Sequence, residues 1–495
     1  MLERAKPGVI AVALIAAIAA TLGRAQDSRQ PVTNDGATKA ASLLSQGEAA
    51  YQKGDLGGAE RLLEDFLRQS PRSARARALL GLTLAREGKT AAALINLQQA
   101  CAIDPSNPDF AYDDAVLLLE AHRYASAIPI LERLHRQSPD SDDVRVNLAR
   151  AYAASGDFKK LSASISTLPP AAYNDEALLK ALASVLAEAK QTAALERLWQ
   201  AAIRRDPKQP LPYAALAKLW IARKQPVRAM TLLKSAPAEA RGPLYLYALG
   251  ETQQASGQYD EARGSFRQLV QMVPANAAAW QQLVRADLQA NQIEQARADL
   301  VHARARFPNA ELFQYQAAVV DYMLGRNTAG IGELTPLVKD GRPKDPRPVL
   351  LMAVLQSASG KYQDAARAFQ RAEKLDPACN ALTSYFYGAT LLRMHRPQNA
   401  EVQLQAALRC QPHFALAQYR LGLALAQGGN PHGALAALKQ AVRDDPTLAD
   451  PYYAMAQIQR RMGETGAAQS SLARFNALHQ RVAASDRDLF RDGAR

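Results

Sequence analysis

The sequence is short of most things that an enzyme or a membrane protein needs. Aromatic residues make up 6% of its 495 positions, and cysteine occurs three times. Alternating runs of Val, Ile and Thr are almost absent, and no Asn-Gly turn joins two apolar runs, which argues against β-sheets. The seven histidines form no HExxH and no i, i+4 pair that would set two metal ligands on one helix face. There is no GxSxG elbow, no phosphate-binding glycine loop and no GxGxxG following a strand. Carboxylates sit at helix-exterior positions with Lys or Arg nearby. No segment brings a nucleophile, a base and oxyanion donors together. The sequence therefore assigns no catalytic residue, no cofactor and no metal, and the chain is read as a non-enzyme.

What is present points to helices. Hydrophobic residues reach 48%, enough for a large core. Ala, Leu, Gln and Arg dominate, and these side chains lose little rotamer freedom in a helix. The first residues differ from the rest. Arg4 and Lys6 precede an uncharged run of 14 residues from Val9 to Leu22, then Gly23-Arg24-Ala25. That pattern reads as a secretory signal covering residues 1–25, the run being short of the roughly 20 residues that span a bilayer. The alternative is an uncleaved N-terminal anchor, which would be the only membrane contact. Losing Arg4, Lys6 and Arg24 along with Glu3 lowers the formal charge from +13 to +11. For an exported chain, nucleic acid is not the expected partner of that surplus. Anionic envelope polymers or acidic protein faces are, beside the simpler reading of a solvated, Arg-rich surface.

A repeat runs through everything after the leader. Pro71, Pro105 and Pro139 fall 34 residues apart, and Pro207, Pro274, Pro308, Pro377, Pro412 and Pro446 keep the step with small slips. Ala59, Ala93 and Ala127 repeat the same interval, as do Ala365, Ala400, Ala434 and Ala468. So do Gly54, Gly88, Gly156, Gly257, Gly325, Gly360, Gly429 and Gly463, and, more loosely, Gly47, Gly81, Gly250, Gly388 and Gly422. Each ladder has a mechanical reason. A residue without a side chain lets two helices approach, the next glycine ends the first helix in a left-handed conformation, the alanine marks the helix crossing, and the proline closes the unit. The ladders weaken around residues 161–170, at Pro129, and at Pro336 with the following "DGRPKDPRPV", which are candidate kinks.

This pattern resembles the tetratricopeptide repeat over roughly residues 40 to 480. The resemblance implies an all-α, right-handed superhelical solenoid of about thirteen helix-turn-helix hairpins. The expected organisation is a signal peptide (1–25), a flexible leader (26–38), repeat blocks 39–170, 171–340 and 341–476, and a capping helix and tail (477–495). In that family the first helices line a concave groove. The fifth station, counted from the small residue at the eighth, holds Tyr112, Tyr247, Tyr315, Tyr385, Tyr419 and Tyr453. Arg393, Gln427, Gln457, Arg460 and Arg461 fall at neighbouring groove stations. Two readings of the tyrosines stay open: a binding stripe, or packing between adjacent first helices. The lysines and asparagines with which chaperone-binding relatives clamp a chain-terminal carboxylate are absent from their stations.

In such a stack Cys379 and Cys410 lie at the same end of neighbouring units, so an oxidising compartment permits a disulfide between them; otherwise both are free thiols. A metal site of Cys379, Cys410 and His413 lacks a fourth ligand. The implied function is a non-catalytic scaffold in the periplasm that holds other proteins or extended peptides in its groove. The alternative is a component of polysaccharide export that binds an anionic glycan.

Overall fold

The computed structural model describes residues 35–339 and 345–479. The expected signal segment, the leader up to residue 34 and the tail beyond residue 479 lie outside the described residues. The first helix begins at Asp35, inside the segment read as leader.

Among the described residues 26 α-helices pair into thirteen hairpins, with no strand. The chain divides into two compact units, 1–207 and 208–495. The expected block edges at 170 and 340 fall inside these units. In the first unit the hairpins are α1 (Asp35–Lys53) with α2 (Leu56–Gln69), α3 (Ala74–Arg86) with α4 (Thr90–Ile103), α5 (Pro108–Glu120) with α6 (Tyr124–Gln137), α7 (Asp142–Ser155) with α8 (Phe158–Ser166), and α9 (Glu176–Glu188) with α10 (Thr192–Arg205). The second unit holds α11 (Pro210–Ala222) with α12 (Pro226–Lys234), α13 (Pro243–Ala255) with α14 (Tyr259–Met272), α15 (Ala277–Gln289) with α16 (Ile293–Arg306), and α17 (Glu311–Met323) with α18 (Asn327–Leu334). It continues with α19 (Pro346–Ala358) and α20 (Tyr362–Leu375), α21 (Ala381–Arg393) and α22 (Pro397–Cys410), α23 (Ala415–Gln427) and α24 (Pro431–Asp444), and α25 (Asp450–Arg461) and α26 (Thr465–His479).

The sequence ladders become contacts. Ala59, Ala93, Ala127, Ala365, Ala400 and Ala434 are wholly buried where the two helices of a hairpin cross. A Cβ at Gly250 would stand 2.5 Å from the Phe266 ring, sixteen residues on, so only glycine admits that aromatic. Many first helices open on a side-chain cap, with Ser73, Asn107, Ser141, Asp175 and Asn380 each accepting from a backbone N–H of the first turn.

The turn between the paired helices shows what the glycine ladder left out. All eight glycines of that series have positive φ. At the missing rungs the same left-handed conformation is held by His122, Lys190, Lys224, Asn291 and His395, with φ between 55° and 59°. The turn geometry is thus imposed by the hairpin, and the residue type only sets its cost. A side chain in that region costs about 1–2 kcal/mol, and glycine loses about 0.5–1 kcal/mol more chain entropy on folding. Lys190→Gly and Lys224→Gly should therefore each stabilise their unit by roughly 0.5–1 kcal/mol, read as an upward shift in urea midpoint. A downward shift would mean that the lysine side chains contribute contacts that outweigh the strain.

The proline ladder is equally informative where it skips. Most second helices span 14 residues, but α8 and α12 have nine and α18 has eight. The first two precede places where the expected closing proline is missing and prolines come early, Pro169-Pro170 and Pro237; after α18 Pro336 comes early, ahead of Pro343 on the rung. Short 3-10 turns, Pro170–Asn174 and Ala238–Ala240, complete the first two. Pro129 behaves differently: α6 runs through it unbroken, with the ring on the exposed side.

Candidate binding face

Tyrosines at the fifth station bridge first helices more than they face outward. Asn147 of α7 donates from Nδ2 to the Tyr112 hydroxyl of α5 at 2.8 Å. Gln282 of α15 donates to the Tyr247 hydroxyl of α13 at 3.0 Å, again 35 residues on. Where the fifth station is Gln281, its backbone carbonyl takes the same bond from Gln316 at 3.0 Å. Tyr112 and Tyr247 are half-buried, and burial pushes the Tyr112 phenol up to about 12. Tyr315 is also pushed up to about 12 by burial, with the Arg347 guanidinium 5.9 Å from its ring centre.

The expected stripe of Tyr385, Tyr419 and Tyr453 does not exist as a surface. Tyr385 is fully buried, with the rings of Phe386 and Phe414 each 5.0 Å away. Phe414 stands just before α23 and closes over it. Tyr419 is half-buried against the apolar cluster of α24 and α25 around Leu435, Leu438 and Met455. Tyr453 alone is open, at 46% exposure, and one face rests on Phe475 at 5.1 Å. The fifth station lies between neighbouring first helices, so a large ring there is drawn into the seam.

The polar groove candidates are accessible. Arg393, Gln427, Gln457, Arg460 and Arg461 are all exposed, and Arg393 reaches the Ser357 carbonyl at 3.5 Å. Nearby, His432, Leu435, Lys439, Arg443, Gln459 and Glu464 line an open cleft of about 370 Å³.

Cys379 and Cys410 form a disulfide, with Cα atoms 5.3 Å apart, joining the loop before α21 to the end of α22. The bond removes both sulfurs from the metal set considered above. His413 pairs through Nδ1 with Asp444 Oδ1 at 3.0 Å. Cys101 is a half-buried free thiol that burial pushes up to about 11, which keeps it protonated and unreactive. Among the described residues no three His, Cys, Asp or Glu side chains converge as a metal set, and no helix is long and apolar enough to cross a membrane.

Sequence reasoning missed two charged groups. One is a buried network in which Arg263 and Arg267 of α14 hold Asp287 of α15 and Asp299 of α16. The other is Asp113-Asp114 in α5, both almost fully buried. Its signal was available: one period earlier the same stations hold Leu79-Leu80.

Tetratricopeptide-repeat models match residues 44–108, 118–186, 253–319 and 388–449, about half of the chain in total. No curated protein matches it. Among solved structures it is similar to the Cut9–Hcn1 hetero-tetramer of APC/C, at 16% identity over 92% of this chain and 96% of that one, with a TM-score of 0.42. It is also similar to Naa15/Naa10 bound to HypK-THB, at 16% identity over 88% and 68% and a TM-score of 0.33. A third likeness is MamA of Desulfovibrio magneticus RS-1, at 23% identity over 34% and 95% and a TM-score of 0.32.

Proposed function

Because the chain belongs to the tetratricopeptide-repeat family, we propose that it is a non-catalytic scaffold of the cell envelope, exported by residues 1–25, that holds extended segments of other proteins. Proteins built of this repeat generally act as interaction scaffolds. The observation that carries the binding face is the accessibility of Arg393, Gln427, Tyr453, Gln457, Arg460 and Arg461 on successive first helices of the second unit. Guanidinium groups, amides and one open aromatic are the side chains that anchor protein interfaces. The Cys379–Cys410 bond supports the envelope reading, since such bonds persist in oxidising compartments. A glycan platform would need successive exposed rings, and Tyr385 and Tyr419 are spent on packing.

The test is a crosslinked pulldown from the envelope fraction, comparing wild type with the combined Arg393→Ala, Tyr453→Ala and Arg460→Ala variant. These residues are exposed, so the variant should keep its circular dichroism. A defined protein recovered by wild type and lost in the variant is the expected result. An unchanged set of captured proteins would move binding off this face. Recovery from the cytosolic fraction alone would overturn the location.

A further inference from the structure

The buried carboxylates differ in one respect that points to a ligand. Asp287 and Asp299 are each bonded to an arginine, and Asp444 is held by His413 and Gln440. Asp113 has no such partner. It is 6% exposed, and only burial and the Asp109 carboxylate act on it, with no hydrogen-bond donor and no cation among the described residues. Its neighbour Asp114, at 5%, has Oδ1 without a partner. A recessed carboxylate with no counter-ion is unfavourable unless something supplies the charge. Burial, with Asp109 nearby, holds the Asp113 carboxyl up at about 7 in the chain alone.

The surroundings of Asp113 are negative as well. Asp109 and Glu120 lie on the same helix, and Asp143 of α7 acts on the same Tyr112 phenol as Asp113 does. Asp113 also acts on Tyr51, two hairpins back across α3, so it looks along the face shared by first helices. Two cations stand nearby, and Arg150 acts on Tyr112 and Glu120, but neither acts on Asp113. Arg86 lies over the Tyr51 ring at 4.9 Å, and Arg150 donates to Asn147 at 3.3 Å. Asp109, Glu120 and Asp143 are exposed, so the recessed carboxylate is ringed by accessible ones. All this occurs on a chain whose formal charge is +13.

We propose that the first-helix face of α5 and α7, with Asp113 recessed at its floor and Asp109, Glu120 and Asp143 around it, receives a lysine or arginine side chain of an extended segment of a partner protein. The inserted cation supplies the counter-charge that the fold omits. The three outer carboxylates steer it, and Tyr112, fixed by Asn147, gives its methylenes a flat wall. This deepens the scaffold reading by naming the chemistry of one contact, and it uses a different unit from the face tested above.

The full chain is titrated into a fluorescein-labelled peptide of alternating Arg and Ala, with alternating Glu and Ala as the opposite probe, and anisotropy is followed. The net positive chain repels the Arg probe at long range, so saturable binding reports a local site. Wild type should bind the Arg probe, and Asp113→Asn should weaken it roughly tenfold or more, the loss typical of removing one side of a desolvated charge pair. Asp143→Asn should weaken it by less. Glu64→Gln, an equal charge change on the exposed side of the second helix α2, should leave it unchanged. Asp113→Asn removes an unpaired buried charge, so its melting temperature should hold or rise. The proposal is overturned if the Arg probe fails to bind, if Asp113→Asn binds it as well as wild type, or if Glu64→Gln weakens it equally. None of these results bears on the pulldown with Arg393, Tyr453 and Arg460.

Discussion

Replacing Arg263 by methionine should destabilise the second unit by roughly 1–3 kcal/mol at pH 8. About 1.4 kcal/mol comes from the uncovered Asp287 charge, which protonation caps, and the rest from the lost hydrogen bond. Arg263 Nε lies 2.6 Å from Asp287 Oδ1, and Asp287 has no exposed surface. Arg267 reaches the same oxygen only at 3.7 Å and spends its close bond, 2.9 Å, on Asp299. Gln295 also donates to Asp299, at 3.2 Å, while the exposed Asp260 holds the outer side of Arg263 at 2.9 Å. Without Arg263, Asp287 has nothing within hydrogen-bonding distance to offset its charge.

The penalty should depend on pH with a definite sign. Burial, reinforced by the Asp299 carboxyl and opposed by Arg263, raises Asp287 to about 7 from the ordinary 3.8. A folded-state value above the unfolded one means that the folded chain holds the extra proton between them. The wild-type contribution is therefore full below about pH 4 and falls as pH rises towards 7, by at most about 1.4 kcal/mol per unit, and is flat beyond. At pH 6 Asp287 is already largely protonated, so Arg263→Met should cost less there than at pH 8. Asp287→Asn should remove this slope and rescue much of the Arg263→Met loss. Urea unfolding at pH 6 and pH 8 measures all three. A cost for Arg263→Met that is equal at both pH values, or no rescue by the asparagine, would show that the network is not set by the Asp287 charge.

The second large effect belongs to the disulfide. Cys379 and Cys410 close a loop of 31 residues, for which chain-entropy bookkeeping gives about 3–4 kcal/mol of stabilisation. Cys379→Ser with Cys410→Ser, or reduction of the wild type, should lower stability by that amount. In a stack of hairpins each unit is held by its neighbours. The loss should therefore appear first in α21 and α22, as faster amide exchange, and spread to the hairpins after them. Thiol titration of the unfolded, unreduced chain should count one thiol, Cys101, and three after reduction. Three thiols before reduction, in protein taken directly from the envelope, would remove both the bond and its support for export.

Much of the fold was legible because a 34-residue hairpin repeats its mechanical demands. The buried alanine ladder marks the crossings, the glycine ladder marks left-handed turns, and the early prolines mark α8, α12 and α18. Pro336 and the stretch 161–170 were readable as interruptions. Pro237 was not singled out, although the rung between Pro207 and Pro274 is empty. The five non-glycine left-handed residues were hidden because His, Lys and Asn carry no local signal that a turn will force φ positive.

The binding face was legible only in part. Station counting places Arg393, Gln427, Gln457, Arg460 and Arg461 where long polar side chains stay in water whatever the seam does. It could not decide the tyrosines, since a phenol can serve groove and seam alike. Phe414 covering Tyr385, and Asn147 and Gln282 donating to Tyr112 and Tyr247, depend on side chains about one repeat away. The same holds for Asp113 and Asp287, which look alike in the sequence. One stands beside an arginine and the other does not, and that depends on which helices the stack brings together. The sequence by itself determined the repeat, the hairpin and its turns, because those are local and recur. The tertiary structure alone decided which polar groups are spent on holding hairpins together and which remain to be used, because burial and pairing are properties of neighbours that the chain order does not state.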